Sequence, residues 1–152
     1  MLFKKIILGA DHAGFALKET LLQCIRDNNW AFEDKGTFAS DLSVDYPDFV
    51  RPVVEAVQRE AKTCGLLICN TGLGMSMAAN RFPGIRAALC HESLSVQLAR
   101  QHNNANVLVL GGGLIGPHMA RMCLLEFMMT GFDEGRHRPR LEKLERLGPF
   151  AS

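Results

Sequence analysis

The chain has 152 residues, of which 47% are hydrophobic, and its 17 Lys and Arg nearly balance its 16 Asp and Glu. This length and composition predict a single domain over residues 1–152 and exclude a disordered chain. The net charge of +1 argues against a nucleic-acid or membrane-surface binder, and every apolar run is too short to cross a bilayer. Five cysteines without disulfide or zinc spacing fit a reducing compartment, so we expect a soluble cytoplasmic protein.

Strand-like and helix-like patterns alternate along the whole chain. Short apolar runs predict five strands, at residues 4–9, 30–34, 65–69, 85–90 and 107–110. Amphipathic patterns predict helices at 15–27, from 46 onward, at 77–80, 92–102 and 117–129, and within 136–147. Apolar strands between helices are typical of a parallel sheet covered on both faces. The sequence therefore predicts a three-layer α/β domain, whose ligands bind at the carboxyl ends of the strands.

An acidic residue and a histidine follow the first predicted strand. Asp11 and His12 together can manage the hydroxyl protons of a sugar. Asp is also a favoured helix cap and Gly14 a turn former, so capping explains Asp11 equally well. Capping alone leaves His12 unexplained.

The third predicted strand ends at Cys69 and leads into a glycine loop over residues 70–76. Gly72 and Gly74 let the backbone turn tightly and expose successive N–H groups, which is typical of an anion site. The loop lacks the Lys of a Walker motif and the third glycine of a dinucleotide motif. A thiol beside a helix N-terminus can serve as a base. The alternative is a buried structural cysteine, which is our interpretation of the other four.

Two further polar groups lie later in the chain. His102 and Asn103 close the fourth predicted helix, either as a helix cap or as groups near the pocket. Residues 136–140 hold three arginines and a histidine, which fit a solvated face, a nucleic-acid surface or a phosphate clamp. The balanced charge and the lack of interleaved aromatics weaken the nucleic-acid alternative. A clamp in the tail has to reach a pocket, which can belong to a neighbouring chain.

Taken together, these motifs resemble the sugar-phosphate isomerase family that contains ribose-5-phosphate isomerase B and the galactose-6-phosphate isomerase subunits. The resemblance runs from Ile6 to about Leu147, and its carriers are residues 9–15, 34–37, 45–47, 69–76, 80–87, 100–103, 106–108 and 135–137. It implies a Rossmann-like α/β/α sandwich with a five-stranded parallel sheet, in a homodimer or tetramer whose active sites are shared between chains. It also implies isomerisation of a phosphorylated aldose through a cis-enediolate, without metal or cofactor.

The resemblance implies a role for each motif residue. Cys69 would be the base that moves a proton between C1 and C2, and His102 would assist opening of the furanose ring. Asp11 and His12 would hold the substrate at the same end, while Thr71 and the backbone N–H groups of the loop would bind the enediolate. The other implied substrate contacts are Asp45, Tyr46, Asn70, Gly72, Leu73, Gly74, Asn103, Arg136, His137 and Arg140.

Two positions depart from the family pattern. Gly113 stands where phosphopentose members usually carry an arginine that binds phosphate, and Asn70 stands where glycine is common. These departures bear on which sugar phosphate is the substrate and not on the type of reaction. The resemblance favours conversion of ribose 5-phosphate to ribulose 5-phosphate, and the alternative is a tetrose, hexose or other pentose phosphate.

Two rival functions belong to other classes. The first is a non-catalytic sugar-phosphate-binding subunit, which needs neither a base at Cys69 nor a ring opener at His102. The second is a nucleic-acid-binding protein that uses residues 136–140 and binds with a steep salt dependence. Turnover of a sugar phosphate separates an isomerase from both.

Overall fold

Strands and helices alternate in residues 2–148, the part of the chain that the computed structural model describes. The strands are β1 (Lys5–Ala10), β2 (Ala31–Asp34), β3 (Thr63–Cys69), β4 (Ala87–Leu89) and β5 (Val107–Gly111). The helices are α1 (Phe15–Asp27), α2 (Tyr46–Arg59), α3 (Leu73–Ala79), α4 (Ser93–Asn103), α5 (Pro117–Met129) and α6 (Arg138–Glu145), with a 3-10 turn at Gly135–His137 before the last. No helix in the described range is long and apolar enough to cross a membrane.

The five strands are parallel and lie in the order β2-β1-β3-β5-β4. The predicted five-stranded parallel sheet is thus confirmed, and its central strand β3 is buried along its whole length. From β1 the chain first adds β2 on one side and then β3 on the other. The topological switch point therefore lies between β1 and β3, where sheets of this kind bind their ligands.

Helices cover both faces of the sheet, which confirms the three-layer sandwich. On one face α1, α4 and α5 form a core that includes Leu21 and Phe127. On the other face α2 and α3 form a second core that includes Val53 and Met75. Each helix buries an apolar stripe against a strand that is apolar on both sides, so two separate cores hold one sheet.

The prediction that the third helix begins at residue 77 is wrong, because α3 begins at Leu73. Gly72 has φ +78, a conformation that suits glycine and turns the chain sharply out of β3 into the helix. A Cβ at Gly74 would lie 2.6 Å from the ring of Tyr46, so only glycine lets that ring pack on the helix start. Both glycines therefore build the entry to the helix rather than a long loop.

Candidate functional site

The switch point between β1 and β3 brings together the residues that follow these two strands. The strands pair directly, and the Asp11 N–H donates to the carbonyl oxygen of Ile68 at 3.2 Å. A Cβ at Gly14 would lie 2.2 Å from that same oxygen, so only glycine lets the turn after β1 approach β3 this closely. Asp11, His12 and Cys69 therefore meet at one edge of the sheet.

Cys69 is the last residue of β3 and is 5% exposed. Its Sγ accepts a hydrogen bond from the backbone N–H of Gly72, with the two atoms 3.1 Å apart. An N–H donor aimed at the sulfur stabilises negative charge on it. Burial raises the pKa of the thiols of Cys24, Cys64, Cys90 and Cys123. Those four are free, buried thiols, as predicted.

The loop after Cys69 offers several free hydrogen-bond donors. Within residues 2–148, the backbone N–H groups of Asn70, Thr71 and Gly74 have no acceptor. The Leu73 N–H donates to Oγ1 of Thr71 at 3.3 Å, which holds this hydroxyl beside the loop. Free N–H groups next to a thiol are suited to an oxygen that gains negative charge during a reaction.

The turn after β1 fixes the orientation of Asp11 and His12. Oδ1 of Asp11 accepts the Gly14 N–H at 2.9 Å, which closes the turn before α1. The interpretation of Asp11 as the helix cap is wrong, because Gly14 is the N-cap residue of α1 and no side chain caps this helix. The Val44 N–H donates to Nδ1 of His12 at 3.1 Å. Because Nδ1 accepts, the proton of the neutral imidazole lies on Nε2, which becomes the donor of the ring.

Asp45 and Tyr46 lie at the N-terminus of α2, close to the start of α3. Asp45 is the N-cap residue, but its exposed carboxylate makes no capping hydrogen bond. The ring of Tyr46 packs against Gly74 and is 38% exposed. Both residues therefore lie at the same edge of the sheet as Cys69.

A buried lysine anchors the irregular segment between β2 and α2. Lys18 is fully buried, and its Nζ lies 2.5 Å from Oδ2 of Asp34 and 2.8 Å from the carbonyl oxygen of Thr37. This ion pair holds the start of the segment that ends at Asp45 and Tyr46. Lys18 was not predicted as important, although a lysine on the apolar stripe of α1 is a visible signal.

A second residue that was not predicted is His91, which follows β4. Its Nε2 would lie 3.0 Å from a Cβ built on Gly111, and the carbonyl oxygen of Thr71 would lie 2.6 Å from the same point. The ring thus borders the loop after Cys69. The rule that ligands bind at the carboxyl ends of strands identifies His91 once it is applied to β4.

The other predicted site residues lie at the opposite edge of the same chain. His102 and Asn103 end α4, which leads back to the amino end of β5. The strand β5 begins opposite Gly65 and ends opposite Cys69, and the paired length is about 13 Å. Within one chain, His102 therefore does not lie at the same end as Asp11 and His12.

The tail brings a second histidine to this opposite edge. The rings of His102 and His137 stack with their centroids 4.2 Å apart and their planes 12° apart. Burial lowers the pKa of His137, and the cationic groups of His102, Arg136 and Arg140 lower it further. The carboxylate of Asp133 acts in the opposite direction.

Two tail arginines are available to a ligand. Arg136 and Arg140 are exposed and form no salt bridge within residues 2–148. Arg138 instead pairs with Glu134 at 2.8 Å. Two guanidinium groups beside a stacked imidazole pair are suited to a phosphate, because each guanidinium presents parallel N–H donors.

A cavity of about 610 Å³ lies beside β4, between the end of α4 and α6. Its lining is mainly apolar and includes Phe82, Ile85, Ala99, Asn103, Leu144 and Leu147. Asn103 is the one predicted site residue in this lining. The cavity does not reach Cys69, so the edge after β3 remains the better candidate for chemistry.

Residues 6–144 match the family model of the ribose/galactose isomerases. The chain is 41% identical to ribose-5-phosphate isomerase B of Escherichia coli K12, over 93% of this chain and 94% of that protein. A ribose 5-phosphate isomerase of Thermotoga maritima is 46% identical, with a TM-score of 0.91 over 94% of this chain and 98% of that one. Ribose-5-phosphate isomerase B of Mycoplasma genitalium with bound ribulose 5-phosphate is 35% identical, with a TM-score of 0.89 over 93% and 94%. The chain belongs to the ribose/galactose isomerase family.

Proposed function

We propose that this protein is an isomerase that interconverts ribose 5-phosphate and ribulose 5-phosphate. The observation that carries the proposal is the position of Cys69 at the switch point, with its sulfur 3.1 Å from the Gly72 nitrogen. Membership of the ribose/galactose isomerase family supports it. So do a relative named ribose-5-phosphate isomerase B and a solved relative that holds ribulose 5-phosphate.

Cys69 is the proposed base. As a thiolate it removes the proton from C2 of the open-chain aldose, and the C–H electron pair forms the C1–C2 double bond as O1 becomes negative. The proton then returns to C1, O2 passes its proton to O1, and the carbonyl forms at C2. Because Cys69 returns to C1 the proton that it took from C2, substrate and product are isomers. The reaction therefore consumes no redox partner.

The surrounding loop is proposed to stabilise the enediolate. The free N–H groups of Asn70, Thr71 and Gly74 support this role, since one preorganised donor to such an oxygen contributes about 3 kcal/mol. His12 offers Nε2–H and Asp11 a second carboxylate oxygen, and these two groups are proposed to hold O1 and O2. The remaining proposed walls of the pocket are Asp45, Tyr46, Gly72 and Leu73.

We further propose that a second copy of the chain completes the site. In its own chain His102 lies at the opposite edge of the sheet from Cys69, and the paired segment of β3 and β5 between these two edges is about 13 Å long. A two-fold dimer would bring the tail of each chain to the Cys69 edge of the other, which forms two equal sites. The tail, residues 133–152, would then pack on the neighbouring subunit, although residues 149–152 lie outside the described part. A tetramer of two such dimers keeps the same sites.

In this arrangement the tail supplies the phosphate clamp. Arg136, His137 and Arg140 are proposed to bind phosphate, and the exposure of both arginines without salt bridges supports this. Asn103 is proposed to contact the sugar, and His102 to move the proton that opens the furanose ring. A phosphate held away from the reacting carbons supplies binding energy and fixes their position.

We also propose a cytoplasmic location for the enzyme. All five cysteines are free thiols, which a reducing compartment preserves. Cell fractionation with a cytosolic marker tests this proposal.

An isomerisation assay without added metal tests the proposed function. The purified protein is offered aldose phosphates of four, five and six carbons, and we expect the highest kcat/KM with ribose 5-phosphate. Preference for an aldose phosphate of four or six carbons would support the proposed reaction and contradict ribose 5-phosphate as the substrate. Absence of turnover across the panel would contradict the isomerase and favour a binding subunit.

A further inference from the structure

The side chain of Asn70 occupies the space above Gly113. A Cβ built on Gly113 would lie 2.2 Å from Oδ1 of Asn70 and 3.2 Å from its Cγ. Contacts below 3.0 Å essentially never occur for a real Cβ, so a side chain at 113 would require the carboxamide of Asn70 to leave its present position. The Gly113 N–H also donates to the carbonyl oxygen of Asn70 at 2.8 Å, which prevents the two backbones from moving apart.

The carboxamide of Asn70 is also free to bind a ligand. Asn70 is exposed and directly follows Cys69, whose carbonyl oxygen accepts the Gly112 N–H at 2.7 Å. Within residues 2–148 the carboxamide makes no hydrogen bond, which leaves its two N–H donors and its oxygen available. It therefore lies between the ends of β3 and β5, on the rim of the site around Cys69.

We propose that Asn70 is a specificity-determining residue, whose carboxamide contacts the bound sugar phosphate and limits its length at the β5 side of the site. The inference rests on the proposed function and names the class of substrate that this site accepts. The carboxamide is larger than the single CHOH unit by which a hexose phosphate exceeds a pentose phosphate. Its removal would therefore expose room above Gly113 for one more carbon.

Asn70→Ala tests the specificity claim, because it keeps the Cβ and removes only the carboxamide. The measurement is kcat/KM for ribose 5-phosphate and for a panel of aldohexose 6-phosphates. We expect the ratio of hexose to pentose activity to rise by about tenfold, the lower range of discrimination that one such unit provides. A ratio that changes by less than about twofold would overturn the claim.

A double-mutant cycle tests whether positions 70 and 113 share one space, without any activity measurement. Gly113→Ala alone should lower Tm, because the Asn70 carboxamide has to leave its present position, and Asn70→Ala in the same chain should restore most of the loss. Gly131→Ala is the matched control, since a Cβ there meets only the side chain of Leu2, at an ordinary contact distance of 3.8 Å, so its cost should not depend on Asn70. A cost of Gly113→Ala that is the same with and without Asn70→Ala would overturn the shared space.

The two readouts separate the possible failures. A wild-type chain that converts neither pentose nor hexose phosphates would contradict the proposed function and the specificity claim with it. The Tm cycle would then still decide whether positions 70 and 113 share one space. A wild-type chain that converts pentose phosphates, with an unchanged ratio in Asn70→Ala, would overturn the specificity claim alone.

Discussion

Cys69 differs from the other four cysteines in what surrounds its sulfur. Its Sγ accepts the backbone N–H of Gly72 at 3.1 Å, at the start of a helix. The others lie in the core, where burial raises the pKa of Cys64 to about 12 and that of Cys123 to about 11. These core thiols therefore stay protonated at neutral pH. In the sequence, only its position distinguishes Cys69 from the other four cysteines. Cys69 alone ends a strand at the switch point and precedes a glycine turn.

Cys69→Ala should lower kcat for ribose 5-phosphate by about 10³-fold, because the variant has no base at C2. Binding of inorganic phosphate should remain, since the proposed clamp lies in the tail. Calorimetry with phosphate and a turnover assay check the two parts. The control is Cys123→Ala, a buried core thiol whose loss should affect stability and spare kcat. Full turnover by Cys69→Ala would contradict its role as the base.

When an anion binds at the tail, the imidazole of His137 should take up a proton. In the free protein burial and nearby cations hold the pKa of His137 below its ordinary value, because they disfavour the charged imidazolium. A bound dianion favours the charged imidazolium and raises this pKa, so binding should tighten as the pH falls toward the lowered value. Sulfate is the probe, because it keeps its charge over this range.

Calorimetry of sulfate binding in two buffers with different ionisation enthalpies measures the number of protons taken up. The variant His137→Asn should show no proton uptake. Arg136 and Arg140 should still bind sulfate in this variant, with lower affinity than in the wild type. Equal proton uptake by the wild type and His137→Asn would show that another group takes the proton.

At the scale of elements, apolar periodicity predicted the bounds of α1 and α5 because each helix buries one stripe against the sheet. It failed at α3, whose start depends on Gly72 at φ +78 and on the packing of Tyr46 over Gly74. These contacts join segments far apart in the chain, which a local pattern does not contain. The placement of His102 depends in the same way on the direction of α4.

The buried ion pair between Lys18 of α1 and Asp34 of β2 should contribute strongly to the stability of the fold. Lys18→Met leaves Asp34 without its partner in a mostly buried position, so the free energy of unfolding should fall by about 3 kcal/mol. Asp34→Asn in the same chain should recover part of this loss, because it removes the unpaired charge. Urea denaturation measures both.

The control for this anchor is Arg51→Met, which breaks an exposed pair with Glu55 and should cost less than about 1 kcal/mol. Losses of equal size for Lys18→Met and Arg51→Met would contradict a special role for the buried pair.

At the scale of the whole molecule, the two edges of the sheet carry different halves of one proposed site. The Cys69 edge holds the groups suited to proton transfer, and the tail edge holds the groups suited to phosphate. The resemblance to the family predicted both groups of residues from the sequence. Their position at opposite ends of a paired strand segment about 13 Å long is visible only once the strand register is known.

Mixing two inactive variants tests this composite site most directly. Cys69→Ala and Arg136→Ala chains are each assayed alone, then co-refolded in equal amounts, and native mass spectrometry verifies the mixed dimers. A mixed dimer has one site with both changes and one intact site, so the mixture should regain about one quarter of wild-type activity. Activity that stays at the level of the separate variants, despite verified mixed dimers, would contradict a site shared between two chains.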